Sequence, residues 1–92
     1  MTWQVMQTRR FGRQYKKLHR NTVSDIDEAV EVVSQTPKVG IRKKGDLSEL
    51  YVYKFISSGQ EYLLGYTLNE EIKLIYLEAI GSHQNFYRDI KK

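Results

Sequence analysis

The chain ends on "GSHQNFYRDIKK", Gly81 to Lys92, directly after its last apolar run closes at Ile80. His83, Tyr87 and Arg88 in that stretch, together with Lys54 in the middle of an otherwise apolar segment, are the side chains whose types suit chemistry. An imidazole with an ordinary pKa near 6.5 exchanges a proton close to neutrality. A guanidinium braces the non-bridging oxygens of a phosphate, and a lysine clamps a phosphate or, if burial and neighbouring cations lower its pKa, serves as a base. Phe86 and Tyr87 offer rings that either stack on a base or pack the tail onto the rest of the chain. His83 also has a plainer reading, as a cap or a backbone hydrogen-bond partner at the start of a terminal helix.

Fifteen Lys and Arg face eleven Asp and Glu, a formal charge of +4, and the placement of that excess matters more than its size. Arg9, Arg10, Arg13, Lys16, Lys17 and Arg20 precede any acid, and Asp25, Asp27, Glu28 and Glu31 then follow within seven positions. Further cations cluster at Arg42, Lys43 and Lys44 and at Arg88, Lys91 and Lys92. Such clusters suit a polyanion, because each phosphate they neutralise releases counterions; they also suit plain solvated faces. With no cysteine and only His19 and His83, neither thiolate zinc sites nor a histidine-rich metal site is expected, and the same composition calls for no cofactor. No apolar run approaches a membrane span and the N-terminus is too polar for a secretory signal, so no membrane role and a cytoplasmic location are expected.

The elements that must position these residues follow from periodicity. "TWQVMQ" alternates as a short strand, and Thr8 is placed to cap a helix running from Arg9 to about His19, with Phe11, Tyr15 and Leu18 as its apolar stripe. Asn21 or Thr22 is expected to cap a second helix, striped by Val23, Ile26, Val30 and Val33 and stopped by Pro37. His19 reads as a surface residue at a helix end, and Trp3, Tyr51 and Tyr53 as packing residues. Lys38 to Glu49 carries Gly40, Gly45, Asp46 and Ser48 and reads as a loop. Leu50 to Ile56, Glu61 to Leu68 and Ile72 to Ile80 then alternate with period two, separated by "SSGQ" and "NEE": a three-stranded antiparallel meander, followed by a short helix. The sum is one α+β domain over residues 1–92, with helices on one face of a twisted antiparallel sheet.

This order of elements, Thr36-Pro37 after the second helix, the basic "IRKKGDL", the strand with an embedded lysine, the "SSG" turn and the ending "GSHQNFYRDIKK" resemble the RelE/ParE superfamily of type II toxin–antitoxin toxins. The resemblance spans essentially the whole chain. It implies a RelE-like fold, a cognate antitoxin as partner, and one of two activities: a ribosome-dependent endoribonuclease that cuts messenger RNA, or an inhibitor of DNA gyrase. For the nuclease it implies His83, Lys54, Tyr87 and Arg88 as catalytic positions and Arg42, Lys43, Lys44, Phe86 and Lys91 as RNA-binding ones. Two positions depart from the pattern: Val52 stands where a second lysine often occurs, and Gln60 or Glu61 where a phosphate-binding arginine is usual.

Overall fold

The computed structural model describes residues 3–43 and 49–90, with the side chains of residues 89 and 90 left aside. Five strands and three helices follow in the order β1 (Gln4–Gln7), α1 (Arg9–Lys16), α2 (Arg20–Gln35), β2 (Ile41–Arg42), β3 (Tyr51–Ser57), β4 (Gln60–Asn69), β5 (Leu74–Ser82) and α3 (His83–Ile90). The strands form one sheet in the order β1-β5-β4-β3-β2. The α+β architecture expected from periodicity is present. The sheet is mixed rather than wholly antiparallel, since β1 runs parallel to β5 from Gln4↔Leu74 to Gln7↔Leu77. That pairing is open to it because α1 and the rest of the chain intervene as the long crossover that parallel strands require.

Thr8 fastens the first helix to the sheet. Its hydroxyl oxygen accepts from the Phe11 amide at 3.2 Å, capping α1, while its own amide donates to the Leu77 carbonyl at 3.0 Å. The β4–β5 register shifts at Gly65/Tyr66, where Gly65 faces Ala79 but Tyr66 faces Leu77, leaving Glu78 as the extra residue of a bulge. Glu78 is not idle there: its carboxylate accepts the Thr67 hydroxyl at 2.9 Å and its carbonyl oxygen lies 3.2 Å from the Thr8 hydroxyl. Beyond the bulge β1 has ended, and α1 covers that edge of β5, where the Gln14 side-chain oxygen accepts the Ile80 amide at 2.8 Å.

The helix pair differs from expectation at its joint. α1 stops at Lys16, short of His19, as the Lys17 and Leu18 amides turn back to the Gln14 and Tyr15 carbonyls. The N-cap of α2 is therefore His19, whose Nδ1 accepts the Asn21 amide at 3.3 Å, rather than Asn21 or Thr22. A short connection leaves no room for a later start, and an imidazole nitrogen in extended backbone does the work of a hydroxyl or carboxylate. α2 presents Thr22, Ile26, Ala29 and Val33 to the sheet, so Val23 and Val30 are only half-buried at the margins of the stripe. Ile26, Ala29 and Val33 join Phe11, Leu64, Tyr66, Ile75, Leu77 and Ile80 in the larger core, against which Trp3, Tyr51 and Tyr53 pack as expected.

Three further differences concern the sheet. Ile41 and Arg42 lie in the segment read as a loop, yet they pair with Val52 and Tyr51 as β2. Two residues are too few to show a period, and the signal lies instead in Gly40: a Cβ there would meet the Tyr66 hydroxyl at 2.6 Å and the Val52 carbonyl oxygen at 3.0 Å. The β3–β4 turn holds Ser58 and Gly59 at φ 52° and 76°, the paired positive angles of a tight two-residue hairpin. β5 starts at Leu74 rather than Ile72, because the Asn69 side chain accepts the Glu71 and Ile72 amides and holds them in the turn. Finally, α1 and α2 cover one face while α3 packs on the other, over Leu50, Val52, Leu63 and Ala79. The expectation of helices on a single face holds for the first two only. Among the described residues no helix is long and apolar enough to cross a membrane.

Tyr66 is wholly buried; its hydroxyl donates to the Pro37 carbonyl at 2.8 Å and accepts the Gly40 amide at 2.9 Å. Burial raises its pKa above the ordinary 10.0, opposed by the Gly40 hydrogen bond. The folded state thus holds this proton more tightly than the unfolded chain, so stability should be fully present below about pH 10 and fall as pH rises further. Tyr66→Phe should cost about 1–3 kcal/mol in urea titrations at neutral pH. It should also flatten the alkaline decline in stability relative to the unsubstituted protein.

Candidate functional site

The site is assembled on the sheet face that α3 covers. In β3 the side chains of Val52, Lys54 and Ile56 share this face, opposite Gly65, Leu63 and Glu61 of β4. Val52 lies under α3 at 2 % exposure, whereas Lys54 is exposed. Leu63 in turn pairs with Gly81, so a row runs from Lys54 through Leu63 to Gly81, two residues before His83. Two strand spacings put the Lys54 and Gly81 backbones roughly 10 Å apart.

α3 begins where β5 ends, and its seating is decided by one pair. Phe86 is 0 % exposed and its ring occupies the space over Gly65, where an added Cβ would lie 2.6 Å from the ring's Cζ. Of the two readings of Phe86, base-stacking ring or packing residue, burial decides for packing, against its expected part in RNA binding, since no ring face is open to a ligand. Its neighbour Tyr87 turns to the rim, half-buried against the same cluster and edge-on to Phe86 at 5.1 Å between centroids.

Around Tyr87 the candidate residues come together. His83, one helical turn earlier and exposed, meets the Tyr87 ring edge-to-face at 5.7 Å. Lys43 places Nζ 5.2 Å from the centroid of the same ring, a cation–π contact made from the segment just after β2. Arg88 is exposed next to Tyr87, and its Nη2 donates to the Asn85 side-chain oxygen at 2.8 Å. Imidazole, phenol and ammonium thus form one contiguous row, with a guanidinium beside it and a second ammonium, Lys54, on the same sheet face.

Not every candidate joins that row. Arg42 pairs with Tyr51 and so belongs to the opposite face; it lines a cleft with Lys38, Glu49, Glu70 and Glu71, where Lys38 and Glu70 form a 2.8 Å ion pair. Strand alternation thus divides the basic run between Arg42 and Lys43. Lys44 and Lys91 lie outside the described residues. Glu61 is exposed on the Lys54 face, diagonal to Lys54 through the Ile56 pair.

Two participants escaped the sequence reading. Asn85 holds Arg88, a pair whose i, i+3 spacing on a helix was a readable signal. Gly65 makes room for Phe86, and a glycine inside an apolar strand often marks such a close approach.

With this geometry in view, the chain can be placed among known proteins. It matches the ParE-like toxins of type II bacterial toxin–antitoxin systems over residues 5–91, and it belongs to that family. Solved structures agree in fold. A chain of the RelBE toxin–antitoxin complex of Mycobacterium tuberculosis superposes with a TM-score of 0.79 at 20% identity, over 90% of this chain and 100% of that one. The isolated RelE toxin of E. coli gives 0.72 at 15% identity, over 97% and 96%. A chain of the archaeal RelE–RelB complex of Pyrococcus horikoshii gives 0.62 at 17% identity, over 89% and 96%. No curated protein matches the chain by sequence. The protein is thus a toxin of the type II class with a RelE fold.

The Gly65–Phe86 contact makes a sharp demand. Gly65→Ala should destabilise the fold by about 1–3 kcal/mol, the usual cost of overpacking a filled site. The loss should localise: hydrogen exchange should accelerate in α3 while the α1–α2 core retains its protection. Uniform acceleration across both would show that α3 is not seated by this contact alone.

Proposed function

We propose that this toxin is a ribosome-dependent endoribonuclease that cleaves messenger RNA by attack of a 2′-hydroxyl, without a metal of its own. The observation that carries the reading is the row of Lys43, Tyr87 and His83 on the Lys54 side of the sheet. RNA cleavage of this kind needs a base for the 2′-hydroxyl proton, positive charge for the crowded phosphate, and an acid for the departing 5′-oxygen. The 2′-oxygen bonds to phosphorus as the bond to the 5′-oxygen breaks, leaving a 2′,3′-cyclic phosphate and a 5′-hydroxyl. His83 is the group assigned to proton exchange, Lys54 and Arg88 to the charge on the phosphate, and Tyr87 to orienting His83 and the substrate. Lys43, with Lys44 and Lys91 as further cations of the chain, would hold the RNA backbone, whereas Arg42 faces away from this site.

The partner proposed is a cognate antitoxin, in keeping with the toxin–antitoxin complexes among the neighbours in fold. The setting proposed is the cytoplasm, where ribosomes translate. A second reading, a gyrase inhibitor without nuclease activity, draws on two observations: the family matched is ParE-like, and Val52, where the resemblance to the nucleases would have a second lysine, is buried under α3.

Ribosomes programmed with a defined message, incubated with the protein and mapped by primer extension, test the first reading. Cuts at the decoding site are expected, insensitive to chelator and reduced about 10²- to 10⁴-fold by His83→Ala. Growth arrest without any cut, accompanied by loss of gyrase supercoiling, would replace the nuclease by the gyrase inhibitor.

A further inference from the structure

β1 ends at Gln7, opposite Leu77, so the last stretch of β5 runs on with no strand beside it on that side among the described residues. Gln14 of α1 takes up the Ile80 amide there at 2.8 Å. Strand alternation turns the Ile80 carbonyl and the Ser82 amide to the same side, an acceptor and a donor two residues apart on an edge without a strand. Against this edge lies a cavity of about 240 Å³, walled by Leu18 just past α1, by Tyr62 of β4 and by Ile80. Gln60, Ser82 and Asn85 bring polar groups to it, and the exposed Lys17 lines it as well.

The walls and the rim ask for different chemistry. Tyr62 stacks on Phe55 at 6.0 Å between centroids, which sets the orientation of its ring as one wall. Ile80 is 1 % exposed and Leu18 half-buried, so the other walls are apolar. The Asn85 oxygen accepts from Arg88, which leaves the NH2 of that carboxamide to offer. A flat ring with donors and acceptors along its edge meets both demands, and an unpaired nucleobase is such a ring. The location agrees. Ser82 immediately precedes His83, and beyond Lys17 the last turn of α1 carries Arg13 and Lys16, cations that suit a polyanionic strand passing from one side to the other.

We propose that this cavity receives one unpaired nucleobase of the RNA strand, from a nucleotide flanking the one whose phosphate lies at His83. The inference rests on the nuclease reading and deepens it, since it puts base selection outside the Lys43–Tyr87–His83 row. The β5 edge holds the base. Every nucleobase has a donor and an acceptor side by side on its pairing edge, to meet the Ile80 carbonyl and the Ser82 amide. All four bases satisfy that pair, so the edge binds without choosing. Choice falls to the Gln60 and Asn85 carboxamides, which meet whichever further polar group the base carries, as such amides do in base readout generally. Lys17, with Arg13 and Lys16 behind it, holds the neighbouring phosphates and is indifferent to sequence.

Binding of uncleavable RNA tests it apart from cleavage. Four 2′-O-methyl pentanucleotides, one for each base, are titrated into the intact protein without ribosomes. Fluorescence anisotropy gives affinity, and NMR follows the Ser82 backbone amide and the side-chain amides of Gln60 and Asn85. One base should bind roughly 5- to 50-fold more tightly than the least favoured, and those amide signals should move. Gln60→Ala, at an exposed position, should flatten the preference, whereas Lys17→Ala should weaken all four oligonucleotides alike, by about two- to fivefold. No preference among bases, no binding at millimolar oligonucleotide, or shifts confined to the His83–Tyr87 side of α3 would overturn the proposal. So would a nucleoside monophosphate binding as tightly as the pentanucleotide, which would make the cavity a site for a free nucleotide. Cuts on ribosomes beside an unselective cavity would sink this inference and spare the nuclease reading; selective binding without any cut would uphold the base site and remove the nuclease.

Discussion

The contact between Phe86 and Gly65 is the constraint on which the candidate site depends. A helix of eight residues has too few internal hydrogen bonds to hold its own geometry in water, so α3 owes its form to packing. That packing has one deep anchor, a phenylalanine ring at 0 % exposure set into the gap left by a missing Cβ. Once the anchor is fixed, the 100° step of the helix fixes the rest: Tyr87 goes to the rim, His83 comes up one turn before it, and Arg88 faces outwards beside Asn85. The three chemically capable side chains of α3 are thus positioned by a fourth that has no chemistry of its own.

Much of this fold was legible, and the reasons for the exceptions are specific. Phe11 and Tyr15 on α1, with Leu18 just past its end, and the alternation through β3, β4 and β5, announce themselves because burial on one face imposes a period on sequence. β2 did not, being two residues long, and His19 as a cap did not, because imidazole is a less usual acceptor at that position. The face chosen by α3 depends on Gly65, some twenty residues earlier, and a local pattern holds no record of such a pairing. In the site, the kinds of residue could be read but not their division of labour. Phe86 and Tyr87 are adjacent and equally aromatic; only the cavity over Gly65 separates the one that packs from the one that meets Lys43 and His83. Likewise Arg42 and Lys43 read as one basic run until strand pairing sends the first to the face of Tyr51.

The position of the site at the sheet's margin has a physical cause. In β4 the run Leu63 to Tyr66 is buried on both faces, by α1 and α2 below and α3 above, and Ala79 and Ile80 of β5 are nearly as enclosed. A charge in any of those places would be stripped of water without a partner, at a cost no small domain tolerates. Cations are confined to where the layers end: Lys54 on an outer strand, Lys43 where the chain leaves β2, and Arg88 on the rim of α3. The core therefore does more than stabilise. By excluding charge from the middle of the sheet it gathers charge along one border of α3.

Lys54 answers two demands at once. An unpaired strand edge invites indiscriminate pairing, and an exposed lysine in its middle discourages it by requiring any added strand to desolvate or neutralise an ammonium. The same ammonium, on the face shared with α3, is the one the proposed nuclease would set against a phosphate. Glu61 lies diagonally across from it and offers a partial counter-charge, which lessens the attraction of that corner for a polyanion while leaving the Lys43–Tyr87–His83 row untouched. In the nuclease proposed above, the burden of phosphate chemistry would then fall more on the helix that Phe86 holds in place than on β3.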